Sequence, residues 1–135
     1  MNTPRTDVLT ESVTFTTKHK LAVTDLIELV NQAIETPAIA YWIDQASDIK
    51  RAPEGKFDYN YCYRFLIKAD GDTLEINVDT IRKGIQAILD GNVELNPMIK
   101  GYITNALANN DLGYIDSDAL DVIIQAGLFG DIVYG

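Results

Sequence analysis

Apolar residues recur along this chain with two different periods, and the changes from one to the other mark its elements. Leu26, Ile27, Val30, Ala33 and Ile34 fall at helical spacing, which predicts a first helix from Thr24 or Asp25 to Glu35, with an acid in its first turn and Pro37 as its stop. From Ala38 to Val78 the period is two. Ile39, Tyr41 and Ile43 alternate with Ala40, Trp42 and Asp44; Tyr59, Tyr61, Tyr63, Phe65 and Ile67 alternate with Asn60, Cys62, Arg64, Leu66 and Lys68. Both runs predict strands with one better-buried face. Ser47 to Lys56, between them, holds Pro53 and Gly55 with Lys50, Arg51 and Lys56, the composition of an exposed loop. Asp70-Gly71 predicts a hairpin into a strand over Thr73 to Val78.

After Val78 the helical period returns. Asp79 is a natural N-cap for a helix carrying Ile81, Ile85, Ile88 and Leu89 and ending at Gly91. Asn96-Pro97 starts another, with Ile99, Tyr102, Ile103, Ala106 and Leu107 as its stripe. Asp116 or Ser117 caps a last helix whose apolar residues, Leu120 to Ala126, cover most of its circumference, so it must be enclosed. Gly127 or Gly130 ends it. Asp131 to Tyr134 is β-prone and predicts a fourth strand; the tail reads as core and as the chain's own end, not as a frayed terminus. At the other end, residues 1–12 are polar and unpatterned, an expected flexible arm, and Val13, Phe15 and Thr17 suggest a short edge strand or extended arm. The prediction is a single α+β domain over residues 13–135, an antiparallel sheet of three to four strands covered by about four helices, mainly on one face.

Composition bounds this picture. The 135 residues are 47% hydrophobic and 23% charged, ordinary for one globular domain that folds without disulfides or a structural metal. Cys62 is the only cysteine, which excludes an internal disulfide and a cysteine-based zinc cluster and favours the cytoplasm. The N-terminal residues have no run of signal-peptide length, and no segment approaches the roughly 20 apolar residues of a membrane span. Net charge is −9 and uneven: residues 85–135 hold seven acids against the single Lys100. Such a field repels nucleic acid and anionic membranes and favours basic partners, although acidic composition also serves solubility alone.

Catalytic chemistry finds little to stand on. His19, the only histidine, sits between Lys18 and Lys20 in an expected loop, so a Ser-His-Asp or Cys-His arrangement would rest on one poorly placed residue. Cys62 lies between two tyrosines in a strand, which suits a packed thiol better than a nucleophile. No phosphate-binding glycine loop is present. The segment Asn109 to Asp118 has a Gly-x-Ile core like that of a calcium loop, but with Gly113 at the sixth position the first, fifth and twelfth are Ala108, Leu112 and Ala119, which cannot supply oxygen ligands from their side chains. A divalent-metal site built from Asp111, Asp116, Asp118 and Asp121 stays open, since carboxylates alone hold Mg²⁺. No cofactor is expected. The tyrosine stripe Tyr59, Tyr61 and Tyr63 could stack bases, but Arg64 and Lys68 fall on the opposite face of the predicted strand, so packing against the helices is the preferred reading.

The helix from Asp79, the polar loop from Asn109 to Asp118 and the ending Leu128-Phe129-Gly130-Asp131-Ile132-Val133-Tyr134-Gly135 carry a resemblance. Over about residues 76–135 the chain is similar to a family of small uncharacterised phage and prophage proteins that close on Leu-Phe-Gly-acid-(Ile/Val)-Val-Tyr-Gly, and the Tyr41-Trp42 segment is similarly placed. Asn92 to Met98 departs from the polar, histidine-bearing segment of that family. The resemblance implies phage or prophage origin, hence the cytoplasm of a bacterial host, and assigns no catalytic residue. The expected function is a non-enzymatic accessory protein that binds a host or phage protein, with a homodimer left open. The first alternative is a DNA-mimic inhibitor of a host defence nuclease, in which Asp90, Glu94, Asp111, Asp116, Asp118 and Asp121 present carboxylates in place of phosphates to a basic nucleic-acid-binding protein. The second is a carboxylate-dependent metal enzyme.

Overall fold

Pro37 ends the first helix and starts a tight turn, and everything the structure does with the first strand follows from that. The computed structural model describes residues 23–51, 60–112 and 115–135. The expected arm over residues 1–12, the strand at Val13 to Thr17, His19, Tyr59, Gly113 and the Pro53 to Lys56 part of the expected loop lie outside the described residues. Helix α1 (Val23–Glu35) buries Leu26, Ile27, Leu29, Val30 and Ala33. Beyond Pro37, the amides of Ala40, Trp42 and Ile43 bond back to Pro37 and Ile39 carbonyls. The segment is therefore a helical-type turn and not the predicted strand, and it buries Ala38, Ile39 and Trp42 while Tyr41 faces out.

The first strand is instead β1 (Gln45–Arg51), drawn from the stretch expected to be a loop. It is an edge strand in the order β1-β2-β3, largely exposed, so it has no apolar alternation to reveal it. Strand β2 (Cys62–Ala69) pairs with it antiparallel, and β3 (Asp72–Asn77) pairs with β2 across the Asp70-Gly71 turn. Both turn residues have positive φ, 51° and 84°, as the predicted hairpin turn demands. Two bulges interrupt the β1–β2 ladder. From the Ser47–Leu66 pair to Lys50–Arg64, β1 advances three residues against two; from there to Arg51–Cys62, β2 advances two against one. The extra residue in β2 reverses its alternation, so Cys62 and Phe65 both point inward, Ile67 and Ala69 follow, and the predicted continuous stripe from Tyr61 to Ile67 is broken.

Helix α2 (Val78–Leu89) begins one position pair earlier than expected. Asn77, not Asp79, is its cap: Asn77 Oδ1 accepts from the Thr80 amide at 3.0 Å and Thr80 Oγ1 accepts from the Asn77 amide at 3.1 Å, a reciprocal box that Asp79 cannot form. Asp79 stands in the first turn and pairs with Arg82 and Lys83. Helix α3 (Pro97–Asn109) starts at the predicted Asn96-Pro97 cap, and α4 (Ser117–Phe129) is capped by Asp116 and closed by Gly130 in the left-handed region at φ 73°.

Every residue of α4 from Ala119 to Ala126 is buried, as its sequence requires. It packs against α2 at very short range: a Cβ on Gly127 would lie 2.0 Å from the Thr80 carbonyl oxygen, and one on Gly84 would lie 1.9 Å from that of Ile123. Gly127 is therefore a contact and not the helix end. The α1 and α4 faces meet Phe65, Ile67 and Ile76 of the sheet in one core, while Arg64, Lys68, Thr73 and Glu75 face outward. The architecture is α+β, a three-stranded antiparallel sheet with four helices among the described residues. Asp131 to Tyr134 does not form the predicted fourth strand. No described helix is long and apolar enough to cross a membrane.

Candidate functional site

The six carboxylates singled out by the sequence divide five to one. Asp90 caps the end of α2 and accepts from Gln86 Nε2 at 2.8 Å; Glu94 is exposed in the α2–α3 connection and Asp111 is exposed after α3. Asp116 accepts the Ala119 amide at 2.9 Å as the α4 cap, and Asp118 is exposed in the same first turn. Asp121, one turn on, points the other way and is only 8% exposed. It does not belong to an acidic surface.

Asp121 is the centre of a lock between distant parts of the chain. Its Oδ1 accepts from Trp42 Nε1 at 2.8 Å and from Gln125 Nε2 at 2.9 Å, and its Oδ2 accepts from the Tyr41 hydroxyl at 2.6 Å. Gln125, fully buried, turns its other capacity to the terminal segment. Its Oε1 accepts from the Val133 and Tyr134 amides, each at 2.8 Å, and its Nε2 reaches the Tyr134 carbonyl at 3.1 Å. A side-chain amide thus replaces the neighbouring strand that Asp131 to Tyr134 was expected to find. The Tyr134 ring stacks on Trp42 with centroids 4.9 Å apart and planes at 7°, Phe129 meets both rings edge-on, and the Tyr134 hydroxyl donates to the Asp70 carboxylate. Among the described residues no buried side-chain polar atom lacks a partner. The sequence signal for this lock was present: Asp121 and Gln125 are the only polar residues between Leu120 and Ala126, four apart on one face.

Tyr41 reports on the lock. Its ring is open to solvent, but burial of the hydroxyl, and then its bond to Asp121, push its pKa up to about 12. The bond's contribution is complete below the free tyrosine value of 10.0 and is lost as pH rises through about 12. In an ultraviolet absorbance titration, the difference between the parent and Tyr41→Phe should show the Tyr41 phenol ionising only as pH approaches about 12, and Asp121→Asn should lower that step. A Tyr41 that ionises at the free tyrosine value of 10.0 would disprove the bond.

Neither catalytic suggestion gains a centre. Among the described residues no three Asp, Glu, His or Cys side chains come together as a metal site, and both Asp121 oxygens are already engaged. Cys62 is buried, its thiol donates to the Arg64 carbonyl at 3.3 Å, and burial pushes its pKa up, away from the thiolate. Tyr61 and Tyr63 are half-buried and stand outside the core cluster, against the expectation that the tyrosine stripe packs under the helices. The Arg64 guanidinium lies 5.9 Å from the Tyr63 ring centre.

An open concave surface lies on the other side of the sheet. A hollow of about 270 Å³ is lined by Asp48 and Lys50 of β1, Arg64, Phe65 and Leu66 of β2, and Glu75 of β3. Lys50 and Arg64 stand directly opposite one another at the bulge, and neither forms an ion pair with a described acid. Like charges facing across strands disfavour the pairing. No protein-family model, no curated protein and no solved structure matches this chain.

Proposed function

We propose that this is a small acidic accessory protein, of phage or prophage origin, that works without catalysis by binding a host or phage protein through the face of its sheet that no described helix covers. The observation that carries the reading is the hollow itself: its lining brings Leu66 together with two opposed cations and the carboxylates of Asp48 and Glu75. Both signs of charge beside an apolar side chain suit a protein surface, in which arginine is enriched and a polar rim surrounds a drier middle. A polyanion would meet the two carboxylates with repulsion. Phage origin is supported by the resemblance over about residues 76–135, which closes on the terminal motif.

The second reading is the DNA-mimic inhibitor. It is favoured by the exposure of Asp90, Glu94, Asp116 and Asp118, none of which pairs with a described cation, and it loses Asp121 to the interior. Capture from a bacterial host lysate, compared between variants, separates the two. Lys50→Glu with Arg64→Glu should release the captured partner, whereas Asp116→Asn with Asp118→Asn should retain it; asparagine keeps the α4 cap. The reverse pattern selects the mimic, and capture that is indifferent to both pairs defeats both readings.

A further inference from the structure

The segment after α4 belongs to no helix or strand, yet it is gripped at every level. Its two amides and one carbonyl are held by a single buried side chain, Gln125, its aromatic ring is stacked on Trp42, and its phenol reaches Asp70. Every one of these contacts is made by a side chain of the body to the segment, so none requires that segment and body be the same molecule. Gly130, which links the segment to α4, is in the left-handed region at φ 73° with nothing within 4 Å of where a Cβ would stand, and it is followed by exposed Asp131. Glycine passes between that conformation and an extended one without steric cost. When it does, the segment swings off α4 and bares an apolar wall at Trp42 and Phe129 beside the Gln125 side chain, which keeps its bond to Asp121 but loses its three backbone partners.

The occupant that fits this surface is the segment it already fits. We propose that two copies of the chain exchange residues Asp131–Gly135 about Gly130, so that the partner's Tyr134 stacks on Trp42 and the partner's backbone is held by Gln125, reciprocally in both chains. The contacts in the closed monomer and the exchanged dimer are the same, so the balance is set by the joint and by concentration. Each chain carries −9, so repulsion opposes the dimer and salt should promote it. The inference stands independently of the sheet-face reading.

Trp42 is the only tryptophan, which makes the exchange directly visible with full-length chains. A Trp42→Phe chain has an intact segment and no tryptophan; a Tyr134→Ala chain has Trp42 and no ring to stack on it. Unfolded together with the Trp42→Phe chain in large excess and refolded at high concentration and high salt, the mixture should recover most of the parent's tryptophan emission, and light scattering should find a species of twice the monomer mass. Emission that stays that of Tyr134→Ala alone overturns the proposal, whether the mixture is monomeric or dimerises elsewhere. Gly130→Pro supplies a second measurement that does not depend on Tyr134→Ala folding. Proline fixes φ near −65° and forbids the closed joint, so this variant should be wholly dimeric with parental emission; a monomer overturns the exchange as well.

Discussion

Replacing Gly127 by alanine should destabilise the protein by about 3 kcal/mol or more, the upper end of what overpacking a core costs, and lower its melting temperature by roughly 10 °C. The added carbon would stand 2.0 Å from the carbonyl oxygen of Thr80. That oxygen is backbone, fixed in the first turn of α2, and no rotamer change can clear it. The two helices must part, and the layer that Ile81, Ile85, Ile123 and Ile124 form around the crossing loosens with them. Gly84→Ala should behave alike from the facing helix, because its carbon would meet the Ile123 carbonyl at 1.9 Å. Gly101, inside α3 with open space around it, is the control: alanine there should stabilise by about 0.5 to 1 kcal/mol through helix propensity. Urea unfolding of the three variants decides the matter, and a Gly127→Ala protein as stable as its parent would mean that the helices do not cross at this distance.

Removing the Asp121 carboxylate should cost about 3 kcal/mol, since a buried donor left without its acceptor costs roughly 1 to 3 kcal/mol and two of the three donors here are enclosed. In Asp121→Ala, Trp42 Nε1 loses its acceptor and Gln125 Nε2 loses one of its acceptors. Asp118→Asn, three residues away on the exposed side, should stay within about 0.5 kcal/mol of the parent. The contrast is what matters. Equal, small effects at both positions would return Asp121 to the surface where its sequence neighbours lie, and would remove the lock from the account of the fold.

The parts of this fold that were legible in the sequence are those where a local rule and the tertiary environment agree. Asp70-Gly71 has only one comfortable turn between two strands, Asn96-Pro97 is a helix start in any context, and an apolar run as long as Leu120 to Ala126 has to be inside. What was not legible has a physical cause in each case. Strand β1 is an edge, so its Asp48, Lys50 and Arg51 resemble a loop. The turn at Ala38 to Trp42 alternates by accident, because three-residue spacing and two-residue spacing both place some apolar residues correctly over so short a stretch. A bulge is invisible to periodicity, and one extra residue in β2 was enough to put Cys62 inside and to free Tyr63 from the stripe. Asn77 and Asp79 are both good caps; Thr80, three residues after the first, decides between them. For the candidate site, charge marked all six carboxylates alike, and only the position of Asp121 in register with Gln125 on an otherwise apolar helix distinguished it. The hollow over Leu66 was not foreseeable, since it depends on which strand neighbours which.

The same two bulges also govern whether another chain can add a strand along β1. An exposed outer strand with regular backbone is a template on which another chain can lay a strand, the first step towards aggregation. Strand β1 is a poor template: Asp48 is held at φ 50°, the ladder steps out of register twice within a few residues, and the strand ends in Lys50 and Arg51. A foreign strand would have to reproduce both irregularities and accept both cations to zip along it. This edge, which no described segment covers, is thereby a poor place for strand addition, and the sheet is guarded against growth into fibrils along that rim.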